Sequence, residues 1–128
     1  RLCASTPAQY GYLAGLEGDR DWMEAYMNKL RERRDLCVSR IEGIKGLEVQ
    51  SPQGAFYMFV KLTDEKWKNN DKEFVLQLLH EEHVLLVHGS GFSPELGKGF
   101  FRLVFLPEKD ILSDAFDKIE RFLSKHRE

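Results

Sequence analysis

Several things are scarce in this chain of 128 residues: it has two cysteines, four prolines, and no apolar run long enough to cross a bilayer. Cys3 and Cys37 lack metal-ligand spacing and follow no secretory segment, which excludes a disulfide-stapled scaffold and suits the reduced thiols of a cytoplasmic protein. Charge of one sign is also missing. Nineteen basic against 21 acidic side chains leave a net charge of -2, too balanced for a sequence-independent nucleic-acid binder or a membrane-surface protein. The expected partner is therefore a small molecule or another protein, with no nucleic acid and no membrane. Internal repeats and low-complexity segments are absent, and no Ser-His-Asp, Cys-His or paired-carboxylate constellation is forced together. What is present is 42% hydrophobic and 12% aromatic content, enough for one real core. The chain starts at Arg1 in a segment that reads as mid-domain, so a fragment of a longer protein is expected.

Hydrophobic spacing divides the chain into eight elements. Thr6 as N-cap, Pro7 at the first helical position and Gln9 closing a capping box predict a short helix ending near Gly18, with Gly11 and Gly15 on one face for close approach of another surface. Asp19 or Asp21 then caps a long helix with Met23, Met27, Leu30, Cys37, Val38 and Ile41 inward and Arg31, Glu32, Arg33, Arg34 and Asp35 outside, stopping at Gly43 or Gly46. Residues 47–50 and 55–61 read as two strands joined by a turn, residues 63–71 as a surface loop containing Trp67, and residues 72–82 as a helix with Phe74, Val75, Leu78 and Leu79 inward. A short strand at 84–87, a glycine-rich loop at 88–99, a strand at 100–106 and a final helix from about Pro107 to Lys125 complete the series. This order predicts an α+β sandwich, a small sheet of about four strands covered by helices on one side.

Arg102 is the only charge in the run Phe100 to Leu106. A guanidinium stays protonated and is costly to bury unpaired, and its planar fork fits a carboxylate bidentately. Strand alternation puts Arg102 on one face with Phe100 and Val104, while Phe101, Leu103 and Phe105 face the core. Two readings stand open from this run alone: an internal salt bridge, which is the commoner case, and a carboxylate-binding pocket wall. Other motifs carry less. His80 and His83 are separated by two residues where a zinc protease helix needs three, so no metal site is expected and a solvated helix end is. The loop at 88–99 lacks the Ser or Thr after its lysine and leads into a strand, which excludes a phosphate-binding P-loop. Lys61, Lys66, Lys68 and Lys98 sit in polar or strand-end settings unlike those of a Schiff-base lysine.

Taken together, the motifs resemble the C-terminal part of a class I/II pyridoxal-phosphate-dependent aminotransferase of fold type I, most like the alanine aminotransferase branch. Residues 5–9 and 14–18 are similar to the segment that closes the family's large domain, and the long helix to its interdomain helix. Pro52, Gln53, Gly54, Ala55, Phe56 and Tyr57 resemble its Pro-x-Gly-Ala-Phe-Tyr strand start, and residues 87–92 its Val-Pro-Gly-Ser-x-Phe loop, with His88 where proline is usual. Residues 99–103 then fall where the family carries the arginine that holds the substrate's α-carboxylate. The resemblance implies residues 1–19 as an arm belonging to the large domain and residues 20–128 as the small domain. It assigns Arg102, Gly54, Ala55 and Phe56 to substrate binding, with Ser90 and Gly91 as lesser candidates at the entrance and Tyr57 in the core or at its rim.

The family's cofactor, pyridoxal 5'-phosphate, would be held by residues upstream of Arg1. The catalytic lysine is thus expected outside this chain, which alone should bind no cofactor and be inactive. The implied reaction moves an amino group from an L-amino acid, alanine first, to 2-oxoglutarate in a homodimeric enzyme. Aromatic donors are an alternative. Two further readings are a noncatalytic amino- or keto-acid-binding regulatory module and a dimerisation fragment.

Overall fold

The computed structural model describes residues 3–127. Four helices, α1 (Thr6–Glu17), α2 (Asp21–Gly43), α3 (Asp71–Glu82) and α4 (Lys109–Lys125), accompany four strands, β1 (Leu47–Val49), β2 (Tyr57–Leu62), β3 (Val87–His88) and β4 (Phe100–Val104). The strands form one antiparallel sheet in the order β1-β2-β4-β3. This is the expected α+β class.

Alternation makes the sheet one-sided. Along β2 the even-numbered residues Met58, Val60 and Leu62 are buried while Tyr57, Phe59 and Lys61 are exposed, and β4 buries Phe101 and Leu103. The buried face meets Cys37 and Ile41 of α2, Phe74 and Leu78 of α3, and Phe116, Ile119, Phe122 and Leu123 of α4 in a single core. The α4 stripe recurs every three or four residues, so one face of the helix is wholly apolar and packs inward. The opposite face of the sheet carries no helix among the described residues, and Tyr57, Phe59, Val87 and Val104 remain partly open on it.

The structure corrects several local expectations. The N-cap of α1 is Ser5, not Thr6, and its side chain makes no capping bond; Gln9 instead donates from Nε2 to the Ala4 carbonyl at 3.0 Å. No residue of α1 is buried, and both Gly11 and Gly15 face open space. Arg20 occupies the N-cap position of α2, although Asp19 Oδ1 does accept the Asp21 amide at 2.8 Å. Met23 and Met27 are exposed, since the first two turns of α2 project beyond the sheet and core. Arg33, placed outside by its charge, is buried: its guanidinium donates to the Leu106 carbonyl and pairs with Glu108.

Trp67, assigned to a surface loop, is 2% exposed and packs against Phe74, Phe122 and His126. Polar neighbours hid it, because the turn that contains it folds back over the core. The strands at 84–87 and 100–106 shrink to Val87–His88 and Phe100–Val104, and the strand at 55–61 shifts to Tyr57–Leu62. Burial beyond the ends of the paired ladder gave residues such as Val84 and Phe105 the look of strand.

Candidate carboxylate-binding site

The register of β2 and β3 against β4 builds the site. Phe59 and Val87 both lie opposite Arg102, and Tyr57 lies opposite Val104, so the guanidinium emerges on the open face among aromatic side chains. Its Cζ is 4.6 Å from the centre of the Phe92 ring and 5.4 Å from that of Tyr57. Such contacts orient a guanidinium by its faces and leave its edge, where the N–H groups are, free to donate. No carboxylate pairs with Arg102 among the described residues, and its Nε is buried without a hydrogen-bond partner. The internal salt bridge is thus not formed. A buried donor left unsatisfied is costly, and a planar acceptor docking edge-on would satisfy it.

Gly54, Ala55 and Phe56 form the end of the turn that enters β2. Ala55 holds φ at 60°, a left-handed conformation that costs an alanine on the order of 1 kcal/mol or more. The main chain is fixed there from the other side, because the Phe105 amide donates to the Phe56 carbonyl at 3.0 Å. These three residues line a 300 Å3 groove with Met27, Leu30 and Arg31 of α2. Arg102 instead lines a 690 Å3 apolar groove with Val87, Val104 and Leu106. The four expected site residues therefore do not share one cavity among the described residues. They are linked through Tyr57, whose ring meets Phe56 edge-on at 5.6 Å and also lies 5.4 Å from the Arg102 Cζ. Tyr57 is thus on the open face and outside the core. Sequence reasoning missed its place beside the arginine, although its odd-numbered position along β2 carried the signal.

Behind the aromatic cluster lies the loop at 88–99. Ser90, Gly91 and Phe92 belong to it, and Phe92 packs edge-on against Phe59 at 5.4 Å. His88 Nδ1 and the Ser90 hydroxyl share a hydrogen bond of 2.9 Å, and the ring lies over Gly91. Asp71, the first residue of α3, is buried and accepts the amides of Ser90 and Gly99. Burial alone would raise this carboxyl; hydrogen bonds from the Ser90 amide and side chain and from the Gly99 amide outweigh it and hold Asp71 below its ordinary value.

At the end of α3, Glu81 meets Lys125 and His126, and Glu82 meets Arg121, so the segment from His80 to His83 is tied to α4 by ion pairs. No group of three metal-ligating side chains occurs among the described residues. Pyridoxal phosphate does not fit these residues by themselves. None of the lysines is buried, Lys61 and Lys68 are paired with Glu48 and Glu65, and Trp67 Nε1 and Arg102 Nε are the buried side-chain polar atoms left unpartnered among the described residues. Among the described residues no helix is long and apolar enough to cross a membrane.

A one-sided antiparallel sheet that displays Arg102 beside aromatic rings, with no carboxylate partner among the described residues, defines an α+β domain with one open face. The chain belongs to the class I and II aminotransferases, whose family model matches residues 1–115. It is 52% identical to an alanine aminotransferase from Pyrococcus furiosus and superimposes on it with a TM-score of 0.92, covering 98% of this chain and 32% of that one. Over its whole length it is 39% identical to the glutamate-pyruvate aminotransferase AlaA of Haemophilus influenzae, of which it covers 32%. An aspartate aminotransferase from Thermotoga maritima is 38% identical over 95% of the chain and 29% of its own length. The chain thus spans about a third of the length of the relatives it matches.

Proposed function

We propose that this chain is the substrate-carboxylate-binding part of a pyridoxal-phosphate-dependent aminotransferase that moves an amino group from L-alanine to 2-oxoglutarate. Residues 20–128 act as its small domain and residues 1–19 as the tail of its large domain. The observation that carries this reading is Arg102, presented on the open sheet face with its Nε unsatisfied and its guanidinium beside the rings of Tyr57 and Phe92. A bidentate bond to the α-carboxylate would fix the position of the reacting carbon, and orientation of that kind lowers the barrier without new chemistry at the arginine. Gly54, Ala55 and Phe56 line the neighbouring groove beside α2, where in this proposal a small backbone leaves room for the rest of the substrate. Pyridoxal phosphate supplies the electron sink when bound. In this proposal its lysine and phosphate contacts come from the remainder of a homodimeric cytoplasmic enzyme, so the isolated chain neither binds it nor turns over. The names of the Pyrococcus furiosus and Haemophilus influenzae relatives support alanine and its keto acid as a substrate pair, while the Thermotoga maritima relative is named for aspartate. The aromatic side chains Tyr57, Phe59 and Phe92 around Arg102 favour a second reading, an aromatic donor, which a donor panel on the full-length enzyme decides.

The test is Arg102→Lys and Arg102→Ala in the full-length enzyme. Loss of a charge-assisted bidentate pair should raise the KM for both amino and keto acid by about 10- to 100-fold, less for Lys than for Ala, with cofactor absorbance intact. Unchanged KM values would remove Arg102 from the site. If the full-length protein with pyridoxal phosphate shows no absorbance band that L-alanine shifts, a noncatalytic acid-binding module becomes the better account.

A further inference from the structure

Asp71 is 3% exposed, yet neither the core nor the carboxylate site makes use of its charge. Its Oδ2 accepts the Ser90 amide at 2.8 Å and its Oδ1 the Gly99 amide at 3.3 Å. Those two amides lie at opposite ends of the glycine-rich loop, so one carboxylate holds both. Among the described residues no lysine or arginine pairs with it, and the nearest group able to carry positive charge is His88, with Nδ1 3.8 Å away. A buried carboxylate held by Ser90 and Gly99, with no lysine or arginine bonded to it among the described residues, is an expensive way to close a loop.

The loop also carries main-chain hydrogen bonds of its own. The Phe92 amide donates to the Gly89 carbonyl at 2.9 Å, the Gly97 amide to Ser93 at 2.9 Å and the Phe100 amide to Gly97 at 3.1 Å. Gly89 and Gly97 approach so closely that neither has room for a Cβ. What Asp71 adds to those internal bonds is a tie from the loop to the start of α3. The loop in turn carries Phe92, which is 51% exposed and so is not held in place by burial. Its ring nonetheless sits 4.6 Å from the Arg102 Cζ.

We propose that Asp71 is a positioning residue: by clamping both ends of the loop it sets Phe92 against the Arg102 guanidinium and so preorganises that group for a substrate carboxylate. This rests on the carboxylate-binding role proposed for Arg102, but the contact it invokes can be read without turnover. A guanidinium already confined to one orientation gives up less freedom when the carboxylate arrives. Freed from Phe92, Arg102 must be ordered by the substrate itself.

Two measurements test this. In the 128-residue chain, the Phe92 ring current should displace the Arg102 Nε–Hε resonance; Phe92→Leu removes that displacement, and Asp71→Asn should move the resonance the same way by a comparable amount. A resonance that Phe92→Leu moves and Asp71→Asn leaves in place overturns the proposal. If Asp71→Asn does not fold, Ser90→Pro removes the loop amide, leaves the buried carboxylate intact and is read by the same criterion. In the full-length enzyme, Asp71→Asn should raise the amino-acid KM roughly 3- to 30-fold with little change in kcat, and the double variant with Phe92→Leu should be no worse than Phe92→Leu alone. Additive effects in that cycle mean that Asp71 does not act through Phe92, and the proposal falls. If Arg102→Ala leaves KM unchanged, the carboxylate-binding role fails instead, and the resonance alone decides whether Asp71 sets the Phe92 contact.

Discussion

Burial treats the two thiols of this chain in opposite ways. Cys37 has no solvent exposure and is surrounded by core side chains, and desolvation of the thiolate pushes its pKa up to about 12; Cys3 is exposed. A thiol-disulfide reagent at pH 8 should therefore titrate one cysteine in the native chain and two in denaturant. Two reacting at equal rates in the native chain would show that α2 does not pack as described. Arg102 shows how much of a single residue was legible: a lone charge in an apolar strand is visible in sequence, and alternation placed it on the correct face. Its lack of a partner was not visible, since a carboxylate anywhere in the chain was free to reach it. Arg33 is the converse. It sits among charged neighbours on a helix that looks solvated there, yet the carbonyl of Leu106 arrives from 73 positions away to accept its bond.

At the scale of elements, periodicity located all four helices, and α4 most fully, because one wholly apolar face leaves only one way to pack. Strands were found but overextended. An apolar residue is buried equally well just beyond a strand as within it, and only pairing tells the two apart. The turns into β2 and β4 differ in what they tolerate. Gly99 takes φ +79°, gives its amide to Asp71, and would drive a Cβ into the Lys68 carbonyl, whereas Gly54 has open space around it. Gly99→Ala is accordingly expected to destabilise the chain by about 2 kcal/mol or more, and Gly54→Ala by less than about 0.5 kcal/mol, in urea unfolding. Equal effects would mean that the entry to β4 is not held as described.

For the whole molecule, the sheet's open face is the feature with the widest consequence. Tyr57, Phe59, Phe92, Val87 and Val104 are each between 37% and 51% exposed along one side of a sheet whose other side is fully covered. Acid stability is also a property of the whole fold, because Asp71 ties α3 to the loop that leads into β4. Its pKa is lowered from 3.8, so the stability it contributes is fully present above that value and is lost as the pH falls below it through the lowered one. Glu81 and Glu82 are lowered as well, by hydrogen bonds from Lys125 and Arg121 first. Those pairs lie at the surface, where 1 M salt screens them, while the amide bonds to Asp71 are insensitive to it. Unfolding followed from pH 5 to pH 2 in high salt should therefore keep an acid limb that Asp71→Asn flattens. An acid limb unchanged by that substitution would place the acid sensitivity elsewhere.

The sequence by itself determined the class of fold, the succession of helices and strands, the core stripe of α4 and the strand face from which Arg102 emerges. These follow from local periodicity, which each segment carries whatever its neighbours do. Only the tertiary structure decided that Trp67 and Arg33 are buried, that Tyr57 and Phe92 flank the guanidinium, and that Asp71 holds a loop ending 28 residues further on. Each of these depends on which distant segments meet, and that is set by how the one-sided sheet and three helices fill a shared core, a condition no short stretch of the chain contains.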